Sequence, residues 1–99
     1  MVVVVFRSKS RAGFESDAAT KGSRMYELAT GLPGFISYKD FASSDGETLA
    51  LVEFADHDSL AAWRDHPEHR EAQAWGRDTL FVEYQVQVCD VVRVARSSE

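Results

Sequence analysis

The chain opens on five consecutive apolar residues, Val2-Val3-Val4-Val5-Phe6, and no other stretch narrows its fold as much. A run this uniform offers no polar side to water, so Met1 to Ser8 reads as a β-strand with both faces covered. At 99 residues there is room for one domain and one core. What covers that strand must therefore come from the few elements that follow, or from outside the chain.

Those elements can be placed in turn. Phe14, Ala18, Gly22, Met25 and Ala29 recur at helical spacing and define one buried face. Gly22 on that face is expected to let the helix axis approach a sheet closely. Gly31 and Pro33 stop the helix. Phe35 to Phe41 and Thr48 to Phe54 read as a hairpin joined by the Ser43-Ser44-Asp45-Gly46 turn. Asp56 is a helix N-cap with Ser59 at its third position, and the helix is expected from Leu60 to just before Phe81. Leu80, Val82, Tyr84, Val86 and Val88 then alternate with Glu83, Gln85 and Gln87 along a last strand. The order β-α-β-β-α-β is that of the α+β, ferredoxin-like fold, an antiparallel four-stranded sheet with helices on one side. The domain is expected over residues 1–96, with 97–99 as a frayed tail.

Two helices cover only one face of such a sheet. The first strand is apolar on both sides, and Phe35, Tyr38, Leu51 and Val52 suggest the same for the hairpin. A second copy of the chain, sheet against sheet, is the expected cover, so a homodimer is the expected assembly.

Charge and composition exclude several partners. The net charge is −5 and the basic residues are scattered. That argues against nucleic acid and anionic membrane surfaces, both of which need a cationic face. The longest apolar run is too short to span a bilayer and lacks the features of a signal peptide. With a single Cys89 there is no disulfide framework and no paired-cysteine metal knuckle. A cytoplasmic location is the expectation.

Chemistry-bearing residues concentrate in Ala61 to Trp75, AAWRDHPEHREAQAW. Pro67 either breaks the helix there or begins a new turn, with Asp65 or His66 available to cap the restart. On a continuous helix of about 100° per residue, Leu60, Trp63, Pro67 and Ala74 face the sheet. His66, Arg70 and Gln73 flank Trp63, and His69 lies nearer solvent. The flank Trp63–His66–Gln73 is thus expected to edge a cavity. Equally, Trp63 can be plain core and both histidines surface or cap residues. His66, Glu68 and His69 lack the spacing of a zinc helix, and no Cys or carboxylate cluster completes a shell, so no metal site is expected. There is no nucleophile elbow and no phosphate-binding glycine loop.

The segments LPGFISYKDF, LALVEF and SLAAWRDHPEHREAQAWGRDTLFVEYQVQVCDVVR resemble the antibiotic biosynthesis monooxygenase domain family. The likeness runs through nearly the whole chain. It implies a dimeric α+β barrel, with oxygen chemistry free of metal and flavin in some members and heme breakdown in others. The heme-degrading branch carries an Asn on the first strand, a Trp on the second helix and a His ten residues later. Trp63 matches, but Gln73 stands at the His position and Phe6 falls near the Asn position. Gln is a poor axial ligand for heme iron, so His66 or His69 would have to serve.

The cofactor-free branch needs an apolar aromatic pocket, a base, and donors for the anion formed. Trp63, Phe35, Tyr38 and Phe81 are candidate walls. His66 or His69 is the candidate base, and Arg70, Gln73 and Tyr84 are candidate donors. The expected function is a monooxygenase acting without cofactor on a small aromatic or quinone-like compound. The alternatives are a heme-binding or heme-degrading protein and a non-enzymatic ligand-binding barrel.

Overall fold

Register decides which apolar side chains this fold hides. The computed structural model describes residues 1–97, so Ser98 and Glu99 of the expected tail lie outside the described residues. Along the chain come β1 (Val2–Ser10), α1 (Glu15–Thr30), β2 (Phe35–Ala42), β3 (Thr48–Phe54), α2 (His57–Arg64), α3 (Pro67–Trp75) and β4 (Phe81–Asp90). The strands form one antiparallel sheet in the order β2-β3-β1-β4. This is the ferredoxin-like βαββαβ arrangement with its second helix divided in two. Residues 91–97 carry no regular element, and among the described residues no helix is long and apolar enough to cross a membrane.

Val2, Val4 and Phe6 stand opposite Phe54, Val52 and Ala50 on one side of β1, and opposite Asp90, Val88 and Val86 on the other. Directly opposed residues share a face, and this face turns to the helices. There Val2, Val4, Val52 and Phe54 close on Met25, Ala29, Leu60 and Trp63 to make the core. Val3, Val5, Leu49 and Leu51 occupy the other face and are only half-buried.

Three expectations need correction. Phe35 and Tyr38 do not lie on opposite faces: the register of β2 against β3 shifts between Phe35 and Ser37. That bulge leaves Ile36 exposed and turns both aromatics inward, opposite Phe54 and Val52. Gly22 is not a close-approach glycine, because a Cβ built there meets nothing within 4 Å. The second helix begins at His57, directly after the Asp56 cap, rather than at Leu60; Asp56 accepts from the Ser59 amide at 2.8 Å.

Two other glycines are needed for space. Gly34, in the turn entering β2, has φ +83, and a Cβ on it would sit 2.0 Å from Ser59 Oγ. Only glycine tolerates both that backbone and that neighbour. Gly76 starts a single π-turn, Gly76–Leu80, that leads into β4. A Cβ there would meet the Phe81 ring at 2.6 Å.

Pro67 splits the second helical segment. α2 ends as the Asp65 amide bonds Ala61 O at 2.9 Å. His66 turns to φ −58, ψ 134, and its Nδ1 accepts from the Glu68 amide at 3.1 Å. Proline follows at the first helical position, where its missing N–H costs nothing. Arg24 of α1 grips Glu68 through two guanidinium nitrogens and so fixes the start of α3 against α1.

Candidate active site

The helices do not reach across the whole sheet. Tyr84, Val86 and Val88 of β4 point to the helix side yet stay about half exposed, and a register shift against β1 leaves Val82 unpaired between Phe81 and Glu83. Between this uncovered strand and the α2–α3 pair lies a cavity of about 320 Å³, lined mostly by apolar side chains. Its floor is Val4 and Phe6 of β1 with Phe81, Tyr84, Val86 and Val88. Leu60, Trp63 and Arg64 of α2, His69 and Gln73 of α3, and Arg77 make its roof and rim. A largely apolar cleft with a few convergent polar groups is the usual form of a small-molecule site.

Trp63 is held on every side. It is 6% exposed, its Nε1–H donates to Met25 O at 3.2 Å, and Phe54 lies 5.6 Å away between ring centroids. His69 packs over it at 4.1 Å with 30° between the ring planes.

That histidine carries the most informative geometry in the cavity. His69 Nδ1 lies 3.0 Å from Trp63 O. A carbonyl only accepts, so the hydrogen-bond network assigns the proton to Nδ1 and leaves the Nε2 lone pair free. Burial pushes the imidazole below the usual histidine range; the Trp63 carbonyl opposes that, and His66 reinforces it. His69 is therefore neutral at neutral pH, with one nitrogen available to accept a proton. Gln73 Nε2 reaches Arg64 O at 3.4 Å, which holds α3 to the end of α2. At the rim, Arg64 pairs with Asp65 at 3.0 Å and Arg77 with Asp78 at 3.6 Å.

Of the residues singled out in sequence, the structure brings Trp63, His69, Gln73, Phe81 and Tyr84 to the cavity. It does not bring His66, Phe35, Tyr38 or Arg70. His66 is the cap of α3, Phe35 packs on Phe54 at 6.0 Å, Tyr38 sits between Tyr26 and Trp63, and Arg70 faces Asp65 at 3.6 Å. The two histidines thus exchange the places expected of them. Angles counted along one continuous helix lose their meaning at Pro67, where α3 restarts in a new direction. The same break hid Arg77, whereas Arg64, ahead of it at the end of α2, was simply not singled out. Val4, Phe6, Val86 and Val88 were open to detection, since strand parity alone sets them on one face. Among the described residues, no group of three His, Cys, Asp or Glu side chains could hold a metal ion.

Comparison with known proteins places this geometry. The profile of the family described as antibiotic biosynthesis monooxygenase matches residues 1–75. The chain belongs to that family. Jasmonate monooxygenase ABM of the fungus Pyricularia oryzae is 33% identical over 103 aligned positions, covering 100% of this chain but 47% of the fungal protein. The chain thus spans about half the length of that relative. Among solved structures, Rv0793 from Mycobacterium tuberculosis superposes with a TM-score of 0.85 at 22% identity, covering 96% of this chain and 98% of that one. SnoaB from Streptomyces nogalater, described as a cofactor-independent oxygenase, gives 0.81 at 14% identity with 97% of each chain covered. At such identities the two structures establish the shared fold of the antibiotic biosynthesis monooxygenase family, and the residues of the cavity have to be argued on their own chemistry.

Proposed function

We propose that this chain is a cofactor-independent monooxygenase that oxidises a small aromatic or quinone-like compound with O₂ in the cavity beneath α2 and α3. The observation that carries the reading is His69, a buried neutral imidazole with its Nδ1 proton engaged and its Nε2 free. Nε2 takes a proton from a phenol or enol, and Gln73 and Tyr84 are the candidate donors to the resulting anion. The electron-rich anion then reduces O₂ itself. For an anthrone-type substrate, a ring CH₂ becomes C=O, one oxygen atom stays in the product and the other leaves as water. No outside reductant is needed for that balance. Trp63, Phe6 and Phe81 keep the reacting ring away from bulk water.

In the same reading the protein works as a cytoplasmic homodimer. The half-buried Val3, Val5, Leu49 and Leu51 strip, on the sheet face away from the helices, supports a second copy as cover. Sedimentation velocity at micromolar concentration is expected to show a dimer, and a well-behaved monomer refutes this part.

One observation favours a second reading. A histidine that donates Nδ1–H to a carbonyl and presents Nε2 is also disposed as a metal ligand, so His69 is the residue that would hold heme iron. Heme would supply oxygen activation there, with Arg64 and Arg77 near enough to the rim to meet its carboxylates. Oxygen uptake with hydroquinones, anthrones, flavonols and jasmonate tests both readings. Turnover lost in His69→Ala and kept in His66→Ala supports the first. A stoichiometric Soret shift with hemin, lost in His69→Ala and without turnover of the panel, supports the second. Binding of a panel member with no turnover at all identifies a ligand-binding barrel.

A further inference from the structure

A file of aromatic rings leads from the cavity to an exposed tyrosine on α1. His69 lies on Trp63 at 4.1 Å, Trp63 meets Tyr38 at 6.2 Å, and Tyr38 meets Tyr26 at 5.4 Å. The last two contacts are edge-on, at 85° and 82°, within the range of direct aromatic contact. Trp63 is a cavity wall, Tyr38 is half-buried, and Tyr26 on α1 is 46% exposed. The other aromatic neighbours of Trp63 and Phe54 in the core are phenyl rings, which do not take part in one-electron exchange under these conditions.

We propose that Trp63, Tyr38 and Tyr26 form a one-electron relay that carries stray oxidising equivalents out of the cavity to a reductant at the surface. The source of the oxidant rests on the oxygenase reading above: an organic peroxyl radical formed when an anion in the cavity meets O₂ escapes its normal course. Trp63 gives that radical one electron, and with a proton from water it becomes a hydroperoxide. The indole N–H of Trp63 faces Met25 O, a carbonyl that cannot take a proton. Oxidised Trp63 therefore stays a radical cation, which is a stronger oxidant than a neutral indolyl radical.

Tyr38 refills it, losing an electron to Trp63 and its phenolic proton to water. Burial, followed by the charge of Asp40, raises the Tyr38 phenol to about 12. Proton and electron must accordingly leave together rather than by way of a standing phenolate. Tyr26 then returns an electron and a proton to Tyr38. A surface thiol or ascorbate supplies the hydrogen atom that restores Tyr26. The sum is one hydrogen atom moved from the reductant to the peroxyl radical, with all three rings unchanged.

Trp75 provides an internal contrast. It does not touch the file, and Lys21 Nζ lies 5.6 Å from its ring centroid, a cation that opposes removal of an electron. The test uses Trp75→Phe protein, in which Trp63 is the sole indole. A laser flash absorbed by indole alone, with persulfate as electron acceptor, makes the Trp63 radical without any substrate. The expected result is first-order decay of the indole radical, matched by an equal rise of a tyrosyl radical. Tyr38→Phe is expected to abolish the rise and lengthen the indole radical's life many-fold, whereas Tyr84→Phe leaves both unchanged. Tyr26→Phe, at an exposed site that does not threaten folding, is expected to keep the rise but slow its quenching by ascorbate. A parent protein with no tyrosyl rise, or a rise that survives Tyr38→Phe, overturns the relay. Because light rather than turnover creates the radical, this outcome is independent of whether any substrate is oxidised.

Discussion

One substitution made at two helical glycines is expected to act with opposite sign. Gly22 lies mid-helix in α1, with nothing within 4 Å of an added Cβ. Gly22→Ala therefore gains helix propensity without a steric cost, and stability should rise by about 0.5–1 kcal/mol. In a domain of this size about 1 kcal/mol raises Tm by roughly 4–8 °C. At Gly76 the same methyl would stand 2.6 and 3.0 Å from two carbons of the Phe81 ring. Carbon pairs prefer about 3.5–4.0 Å, so the ring must retreat by roughly an ångström. That ring is half-buried and packs edge-on to Phe6 at 5.4 Å, so it retreats only against other side chains. Overpacking of this kind costs about 1–3 kcal/mol, which outweighs the gain in propensity, and Gly76→Ala should lose on the order of 1 kcal/mol net. Urea unfolding at one fixed protein concentration measures both. The reasoning fails if the two variants shift the midpoint in the same direction. Displacement of Phe81 should also alter the cavity floor, so Gly76→Ala, unlike Gly22→Ala, is expected to weaken binding of small aromatic ligands.

Separation of the two histidines is the next expectation: His66→Ala should cost about 1 kcal/mol through loss of the α3 cap while leaving ligand binding intact, whereas His69→Ala should weaken ligand binding as well as stability, since its ring packs on Trp63; calorimetry with a bound hydroquinone or anthrone distinguishes them. The depressed His69 also predicts a pH response. As pH falls below about 6.5 the unfolded chain binds a proton that the folded chain refuses, so stability declines until the lowered native value is reached and then levels off. Denaturation midpoints of the parent and His69→Gln should diverge in that window, and parallel curves refute the assignment. Gly34→Ala should destabilise by more than about 1 kcal/mol, and Ser59→Gly should restore only part of it, because the positive φ remains strained after the clash is relieved.

Periodicity made the order of elements legible, because period-2 and period-3.6 patterns in Val2–Phe6, Phe14–Ala29 and Leu80–Val88 depend on side-chain direction alone. The family resemblance rested on the PGF turn, the HPEH helix and the YQVQV last strand, and the first two have physical grounds: Gly34 is crowded by Ser59, and His66 with Pro67 restarts a helix. Less visible was anything that hangs on one residue of phase. The bulge that turns Phe35 and Tyr38 to the same side leaves no mark in their composition, and the new direction of α3 is set by Arg24 gripping Glu68 from a distant helix. Strand parity was enough to recover Val4, Phe6, Tyr84, Val86 and Val88 of the cavity lining; the choice between two nearby histidines was not legible.

The π-turn at Gly76–Leu80 gives the chain a phase adjuster. One surplus residue is wound into the last helical turn, and the Phe81 amide bonds back to Gly76 O to close the wider loop. Strand parity does not run unbroken from there, because β4 slips by one residue against β1 at Val82, and so Phe81 and Tyr84 both arrive under the helices. Excision of a single residue between Arg77 and Thr79 would tighten the turn to ordinary α-helix and pull Phe81 off the cavity floor, while pairing with β1 holds Tyr84, Val86 and Val88 in place. Length at this junction thus sets where the Phe81 ring stands, and the bulge after it keeps the rest of the strand indifferent to that length.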